Sequence, residues 1–279
     1  PGRVSILIPT CDHIRDLETC VESIYARTTY PDFELLLIEN NSKEEQTFRS
    51  YERMQKEHPD TLKVLTWQGK GFNYSALNNF GARYATGEYL LLLNNDTEVI
   101  TPGWLEEMVM YAQQKRVGCV GAKLLYPDDT IQHAGVIIGI GGVAGAMFVG
   151  MARERSGYLR KAILQQDLSA VTAACMMVDR KAWEGAGGFN EDLAVAFNDI
   201  DFCLKVRREG YLVVYEPNVE LYHYESKSRG YEDTPEKQKR FLSEINYMKA
   251  HWSEILTKGD PYYNENFSLN TCNYTLRKR

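Results

Sequence analysis

Cysteine pairs, long apolar stretches and basic runs are all missing from this 279-residue chain. Its six cysteines (Cys11, Cys20, Cys119, Cys175, Cys203, Cys272) include no CxxC pair and no framework spacing. They read as reduced core thiols of a cytosolic protein rather than as a disulfide scaffold. No apolar run approaches the ~20 residues of a membrane span. No signal peptide precedes "VSILI", and the chain opens directly on a strand, as though cut from a longer polypeptide. Membrane association, at the inner face, is therefore expected only through segments outside this sequence. A net charge of -6 without a long basic run leaves no nucleic-acid surface. Repeats and low-complexity linkers are also lacking, so one domain is expected. What is present, 44% hydrophobic and 25% charged residues, suffices for a proper core. Five Asn-x-Ser/Thr triplets, such as Asn95-Asp96-Thr97, are coincidence in an intracellular chain.

Short apolar runs alternate with helical spacing through the first half. Residues 4–8, 33–38, 62–66 and 88–93 read as strands buried on both faces. Ile14, Leu17, Val21, Ile24 and Tyr25 fall on one helical face; 44–58 reads as a polar helix and 75–85 as another. Pro102 sits where a first helical turn starts, before Trp104, Leu105, Met108 and Val109. This alternation predicts an α/β fold with a doubly wound, mostly parallel sheet. The second half is irregular. It has a glycine-rich stretch over 117–150, a core strand at 170–178, an amphipathic helix at 199–209, a strand at "YLVVYEP" and a long C-terminal helix over 235–256.

In an open parallel sheet, ligands bind beyond the carboxyl ends of the strands. The four strands run into Pro9-Thr10-Cys11-Asp12, Glu39-Asn40-Asn41-Ser42, "GKGFNYS" and Asn94-Asn95-Asp96. Each end alone is ordinary turn chemistry. Four polar ends on one rim point to a ligand.

"VSILIPT", "LLLIENNS" and "FNYSALNNFGARYATGEYLLLLNNDTEV" occur in that order, followed by "TAACMMVDRKAWEGAGGFNE", "FNDIDFCLKVRREGY" and "LYHYESKSRG". Together they resemble glycosyltransferase family 2, with its GT-A fold, over about residues 4–230. They look most like its bacterial rhamnosyl- and hexosyltransferases of surface polysaccharide or glycoprotein assembly. The resemblance implies a nucleotide-sugar-binding half (1–115), an acceptor and catalytic half (116–230) and a C-terminal helical extension (231–279). It also implies inverting transfer from a UDP-hexose or dTDP-rhamnose donor to a glycan or glycoprotein.

Position by position, the resemblance puts Pro9 and Thr10 along the nucleotide base. Glu39 stands where the family has a base-reading Asp, with Asn41 beside it. Asn73, Ser75 and Asn79 fall at the ribose and diphosphate groove. Asn94-Asn95-Asp96 stands for the family's DxD motif. Asp96 matches the metal-binding Asp, and Asn94 is placed to hydrogen-bond the ribose. His223 matches the family's late histidine as the second metal ligand. One carboxylate with neutral amides suits a divalent cation already shared with a diphosphate, Mn²⁺ in preference to Mg²⁺. In "FNDIDF", Asp199 matches the catalytic base and Asn198 replaces its usual acidic neighbour.

Other features stay open or bland. Asp201 is either a first-turn helix charge or a second candidate base. His133 is either a core imidazole or part of the donor and acceptor region. Arg229 either closes over the diphosphate or belongs to a mobile basic loop. The GxGxxA match at Gly139, Gly141 and Ala144 is a flexible loop, since no acidic residue follows to hold a ribose. Two rival functions fit the residues less well. A nucleotidyltransferase would want glycines after the first strand, and "PTCDHIRD" has none. An inactive carbohydrate-binding or scaffolding domain would lose the base or the metal ligands, and Asp96, Asp199 and His223 are all present. A homo-oligomer or a sister glycosyltransferase domain is the expected protein partner.

Overall fold

A computed structural model describes residues 2–224 and 234–278. The first half runs β1 (Val4–Thr10), α1 (Ile14–Arg27), β2 (Phe33–Glu39), α2 (Glu45–Glu57), β3 (Leu62–Thr66), α3 (Tyr74–Tyr84) and β4 (Tyr89–Leu93). Then come β5 (Thr97–Val99), α4 (Trp104–Ala112), β6 (Val117–Leu125), β7 (Ile131–His133), β8 (Val136–Ile138) and β9 (Ala144–Ala146). The chain finishes with β10 (Gln166–Leu168), β11 (Cys175–Asp179), α5 (Arg180–Ala186), α6 (Asn198–Arg208), β12 (Leu212–His223), α7 (Pro235–His251) and α8 (Ser253–Lys258).

The first four strands pair in parallel in the order β4-β1-β2-β3, as the alternation predicts. Beyond β4 the same sheet continues through antiparallel β11 to β6, β12 and β10. Side chains alternate between two cores because strand side chains alternate between faces. Tyr89, Leu91 and Leu93 of β4 join one core with α1 and α4, while Leu90 and Leu92 join the other with α3 and α6. Burying each such Leu contributes about 1.5–3 kcal/mol, which is why these strands read as unbroken apolar runs. Glu34 of β2 is fully buried and accepts from Ser5 Oγ (2.8 Å) and from both Thr86 N and Oγ1 (2.7 Å each). Burial pushes its carboxyl up, but those hydrogen bonds and Arg3 outweigh burial and hold it below the usual range.

Several expectations need correction. Pro102 precedes the helix rather than opening it, because Gly103 supplies the left-handed N-cap. The strand expected at 170–178 starts only at Cys175; residues 172–174 line the cleft described below. β12 continues past Pro217 to His223, because a bulge between Glu216 and Glu220 absorbs the proline. The glycine-rich loop is a paired hairpin, β8 with β9, and Gly139, Gly141 and Gly142 supply the positive φ of its turn. Four cysteines are buried as expected, but Cys11 and Cys272 are half-buried.

The long C-terminal helix breaks at Trp252, whose indole Nε1 donates to buried Asp201 at 2.8 Å. Asp201 sits in the first turn of α6 yet faces inward, with Lys205 Nζ 3.3 Å away, so it ties the C-terminal helices to the sheet. Asp201→Ala leaves the indole N–H without its acceptor and should lower stability by about 1–3 kcal/mol in urea denaturation. Asp201→Asn, which keeps an acceptor, should lose less. Unchanged midpoints for both variants would remove this role.

Candidate active site

The sheet gathers chemistry at one rim. β4 ends at Leu93, and β11, running the other way, begins opposite it at Cys175; just beyond, Asn94 N donates to Ala174 O at 3.0 Å. β12 ends at the same place, paired with β5 so that His223 lies opposite Thr97. The backbone bond from Tyr224 N to Asp96 O (2.9 Å) then holds the two chain ends side by side. Residues 94–96 and His223 thus meet although 127 positions separate Asp96 from His223 (223 − 96). A cleft of about 290 Å³ opens there. Asn94, Asn95, Asp96 and His223 give it a polar lining, and Phe72, Tyr74, Val195 and Phe197 an apolar one. Pro9, Asn198, Asp199 and the turn 172–174 complete it.

His223 Nε2 lies 3.3 Å from Asp96 Oδ1 and 3.1 Å from Asn94 Nδ2. On its other side, Nδ1 is 2.6 Å from Gln132 Oε1. An amide oxygen only accepts, so a proton sits on Nδ1; an amide NH₂ only donates, so Nε2 meets Asn94 with its lone pair. Asn94 donates into that lone pair. The Asp96 oxygen, also an electron-pair donor, faces it at a distance that suits two neighbouring ligands of one cation with bonds of about 2.1 Å. Asp96 and His223 therefore fit a divalent cation as a two-ligand site with room for other oxygens. Among the described residues no group of three or more His, Cys, Asp and Glu side chains forms a closed metal cage.

Asp199 is half-buried in the first turn of α6 and accepts from Ile200 N at 2.9 Å and Ala173 N at 3.2 Å. Burial pushes its carboxyl above the usual carboxylate range; hydrogen bonds from Ala173, the Thr172 hydroxyl and Ile200 pull it back only in part. It is not the helix cap: the N-cap is Phe197, in the left-handed region at φ 62°. That conformation is strained for an aromatic residue. It is held from outside, since Val195 N donates to Glu244 Oε1 of α7 (2.9 Å) and the Phe197 ring stacks on Phe241 at 5.8 Å. Asn198 is buried, donating to Val195 O (3.2 Å) and accepting from Asp199 N (2.7 Å), so it braces the turn that presents the carboxylate.

The structure brings Pro9, Asn94, Asn95, Asp96, Asp199 and His223 to one cleft. It does not bring the groove residues expected from "FNYSALNN". Asn73 caps α3 through Ala76 N and donates to Glu191 O. Ser75 donates to Leu193 O, and Asn79 holds both N and O of Phe189. All three side chains fasten the 189–193 segment and lie outside the lining of the cleft. Thr10 and Glu39 lie buried at the neighbouring β1 and β2 ends, outside the cleft lining. Glu39 accepts from Ser42 N at 2.5 Å, and the Thr10 hydroxyl is buried beside the Tyr51 hydroxyl. Asn41, exposed and at φ 57°, donates to Gly69 O at 3.1 Å. Arg229 lies outside the described residues.

His133 resolves to a core imidazole, pushed down to about 4 by burial. It bonds Ala122 O through Nδ1 (3.0 Å) and accepts from Thr172 N (3.2 Å), and so supports the turn beside Asp199. Sequence reading missed its neighbour Gln132, as well as Thr172, which looked like mid-strand. Phe72 was also missed: it is an aromatic residue 49% exposed in a polar loop at the rim, the one sequence signal that would have flagged it.

Comparison with known proteins adds the following. The profile described as "Glycosyl transferase family 2" matches residues 5–185. Uncharacterized protein y4gI of Sinorhizobium fredii is 49% identical over 274 residues, a match that takes 98% of this chain and 30% of that protein. O-antigen biosynthesis protein RfbC of Myxococcus xanthus is 40% identical over 280 residues, 99% of this chain and 21% of that protein. The chain thus spans less than a third of either relative. Among solved structures, the mannosyltransferase PcManGT from Pyrobaculum calidifontis, in complex with GDP-Man and Mn²⁺, aligns with a TM-score of 0.60 at 20% identity. That alignment covers 92% of this chain and 72% of the other. GalNAc-T7 with UDP, GalNAc and Mn²⁺ aligns with a TM-score of 0.71 at 15% identity, over 91% of this chain and 50% of the other.

Proposed function

The chain belongs to glycosyl transferase family 2 and has the GT-A fold, and from that premise we propose that it moves a sugar from a nucleotide-activated donor to an acceptor hydroxyl, with inversion at the anomeric carbon. One observation carries the reading: the raised carboxylate of Asp199 and the facing Asp96–His223 pair line the same cleft. Asp199 takes the proton of the acceptor hydroxyl as that oxygen attacks the anomeric carbon, and the bond from this carbon to the nucleoside diphosphate breaks. The Asn94 and Asn95 carboxamides offer neutral donors to the sugar nucleotide without adding negative charge. Asp96 and His223 would hold a divalent cation, which offsets charge on the departing diphosphate when bound. Mn²⁺ is favoured, by the mixed nitrogen and oxygen ligands and by its presence in both solved structures, and Mg²⁺ is the alternative. Thr10 and Glu39, beside Pro9 at the β1 and β2 ends, suit a base pocket and so a UDP-hexose or dTDP-rhamnose donor. The acceptor is a glycan or glycoprotein of surface polysaccharide assembly, in line with the name of the RfbC relative. Within the described residues no helix is long and apolar enough to cross a membrane.

Thermal unfolding with a panel of nucleotide sugars tests this. A donor at about 100 times its dissociation constant should stabilise the protein by about 2.7 kcal/mol. The shift should require Mn²⁺, with uracil or thymine donors exceeding guanine ones. No shift from any sugar nucleotide, with no nucleotide released when acceptor glycans are added, would refute the function. Equal shifts from UDP and GDP would refute only the base pocket.

A further inference from the structure

Gln132 belongs to the short edge strand β7, which pairs with β6 next to the end of β12. It is 8% exposed, and its amide contacts His223 twice. Oε1 accepts from the ring Nδ1 at 2.6 Å, and Nε2 donates to the His223 backbone oxygen at 3.3 Å. The second bond decides the amide's orientation. Turned over, the amide would set its oxygen against the His223 carbonyl oxygen and lose the backbone bond. A glutamine reading the backbone and the ring of one residue thus has a single satisfied arrangement, and that arrangement keeps the ring proton on Nδ1.

The consequence lies on the far side of the ring. With the proton on Nδ1, Nε2 faces Asp96 Oδ1 as a lone pair that also accepts from Asn94; without Gln132 the Nδ1 proton loses its acceptor, which favours the other tautomer, in which Nε2–H donates to Asp96 and closes the pair on itself. A histidine that ligates a metal commonly has its second nitrogen fixed by such a partner. We infer that Gln132 is a positioning residue, holding His223 in the tautomer whose Nε2 lone pair, and not an N–H, is turned toward Asp96 and a cation. The adjacent His133 supports the turn beside Asp199 through Thr172 N, so β7 braces both ends of the cleft. The consequence for metal binding rests on the function proposed above; the tautomer itself does not.

The test separates them. ¹⁵N-resolved NMR of the imidazoles reports which nitrogen of His223 carries the proton, and Mn²⁺ alone is titrated by electron paramagnetic resonance, with and without UDP. Wild type should show Nδ1–H, as should Gln132→Glu, whose carboxylate still accepts. Gln132→Leu, with no acceptor, should shift His223 toward Nε2–H and weaken Mn²⁺ binding by about 10–100-fold. Unfolding curves show whether the Leu variant is folded; if it is not, Gln132→Lys, which donates toward Nδ1, replaces it and should give the same shift. Wild type with the proton on Nε2 overturns the inference. So does a folded Gln132→Leu or Gln132→Lys variant that matches wild type in spectrum and affinity. Wild type with Nδ1–H that takes up no Mn²⁺ under either condition instead overturns the metal in the proposed function.

Discussion

Replacing Asp199 with Asn should lower turnover by about 10²–10⁴-fold, the usual worth of a general base. Donor affinity should stay within a few-fold, because the proton acceptor acts on the acceptor hydroxyl in the transition state. The pH profile gives an independent sign. Only the ionised carboxylate accepts a proton, and burial raises its titration. Wild-type kcat/KM should therefore climb with pH through a range above ordinary carboxylates and then level off, and the Asn variant should lose that limb. Stability should move the other way. A carboxyl whose folded value is raised contributes stability that is present below its unfolded value and lost as pH rises through the folded one. Asn carries no charge to desolvate, so Asp199→Asn should be at least as stable as wild type at pH 7. Turnover near wild type would overturn the mechanism, and a marked loss of stability would point to a structural role. If Asp201→Asn alone lost turnover, the base would lie two residues on, although that carboxylate is buried against Trp252.

Asp96→Ala and His223→Ala should each remove the Mn²⁺-dependent part of donor binding. Two protein ligands leave little redundancy, so affinity for the cation should fall by more than the roughly 10–100-fold that an outer-shell partner contributes. Chelation of wild type should reproduce either variant. Both proteins should remain folded, since neither side chain belongs to the apolar cores on the two faces of the sheet. Normal donor and metal binding by both variants would show that the pair has been given the wrong task.

The strands and helices of the first half were legible because each is a local pattern. "YLLLL" needs only burial on both faces to be a strand, and Asn94-Asn95-Asp96 follows it to the rim because parallel strands of one sheet end together. Asp199 and His223 were legible through family resemblance, whereas their own spacing carried no metal or base signature. Asn73 shows the limit of that reading. A carboxamide before a helix is equally a cap and a ligand contact in sequence; here its oxygen caps α3 by accepting from Ala76 N, and its amide donates to Glu191 O, 118 positions away. The 170–174 stretch failed for a related reason. Ala, Val and Thr suit a strand, but the backbone N–H groups of Thr172 and Ala173 go to the side chains of His133 and Asp199 instead of a neighbouring strand.

By itself, then, the sequence determined the α/β alternation, the polar rim and the residue types able to remove a proton or hold a cation. Those follow from periodicity and side-chain chemistry, which are properties of short segments. Only the tertiary structure decided which of these groups act together. The bulge in β12 carries His223 to Asp96, and the reversal at β11 sets the 172–174 turn against Asp199. α7 holds Phe197 in its strained turn, and β7 delivers Gln132 to the ring of His223. Each of these depends on contacts between segments far apart in the chain. Strand order, register and burial set those contacts, and no local pattern encodes them.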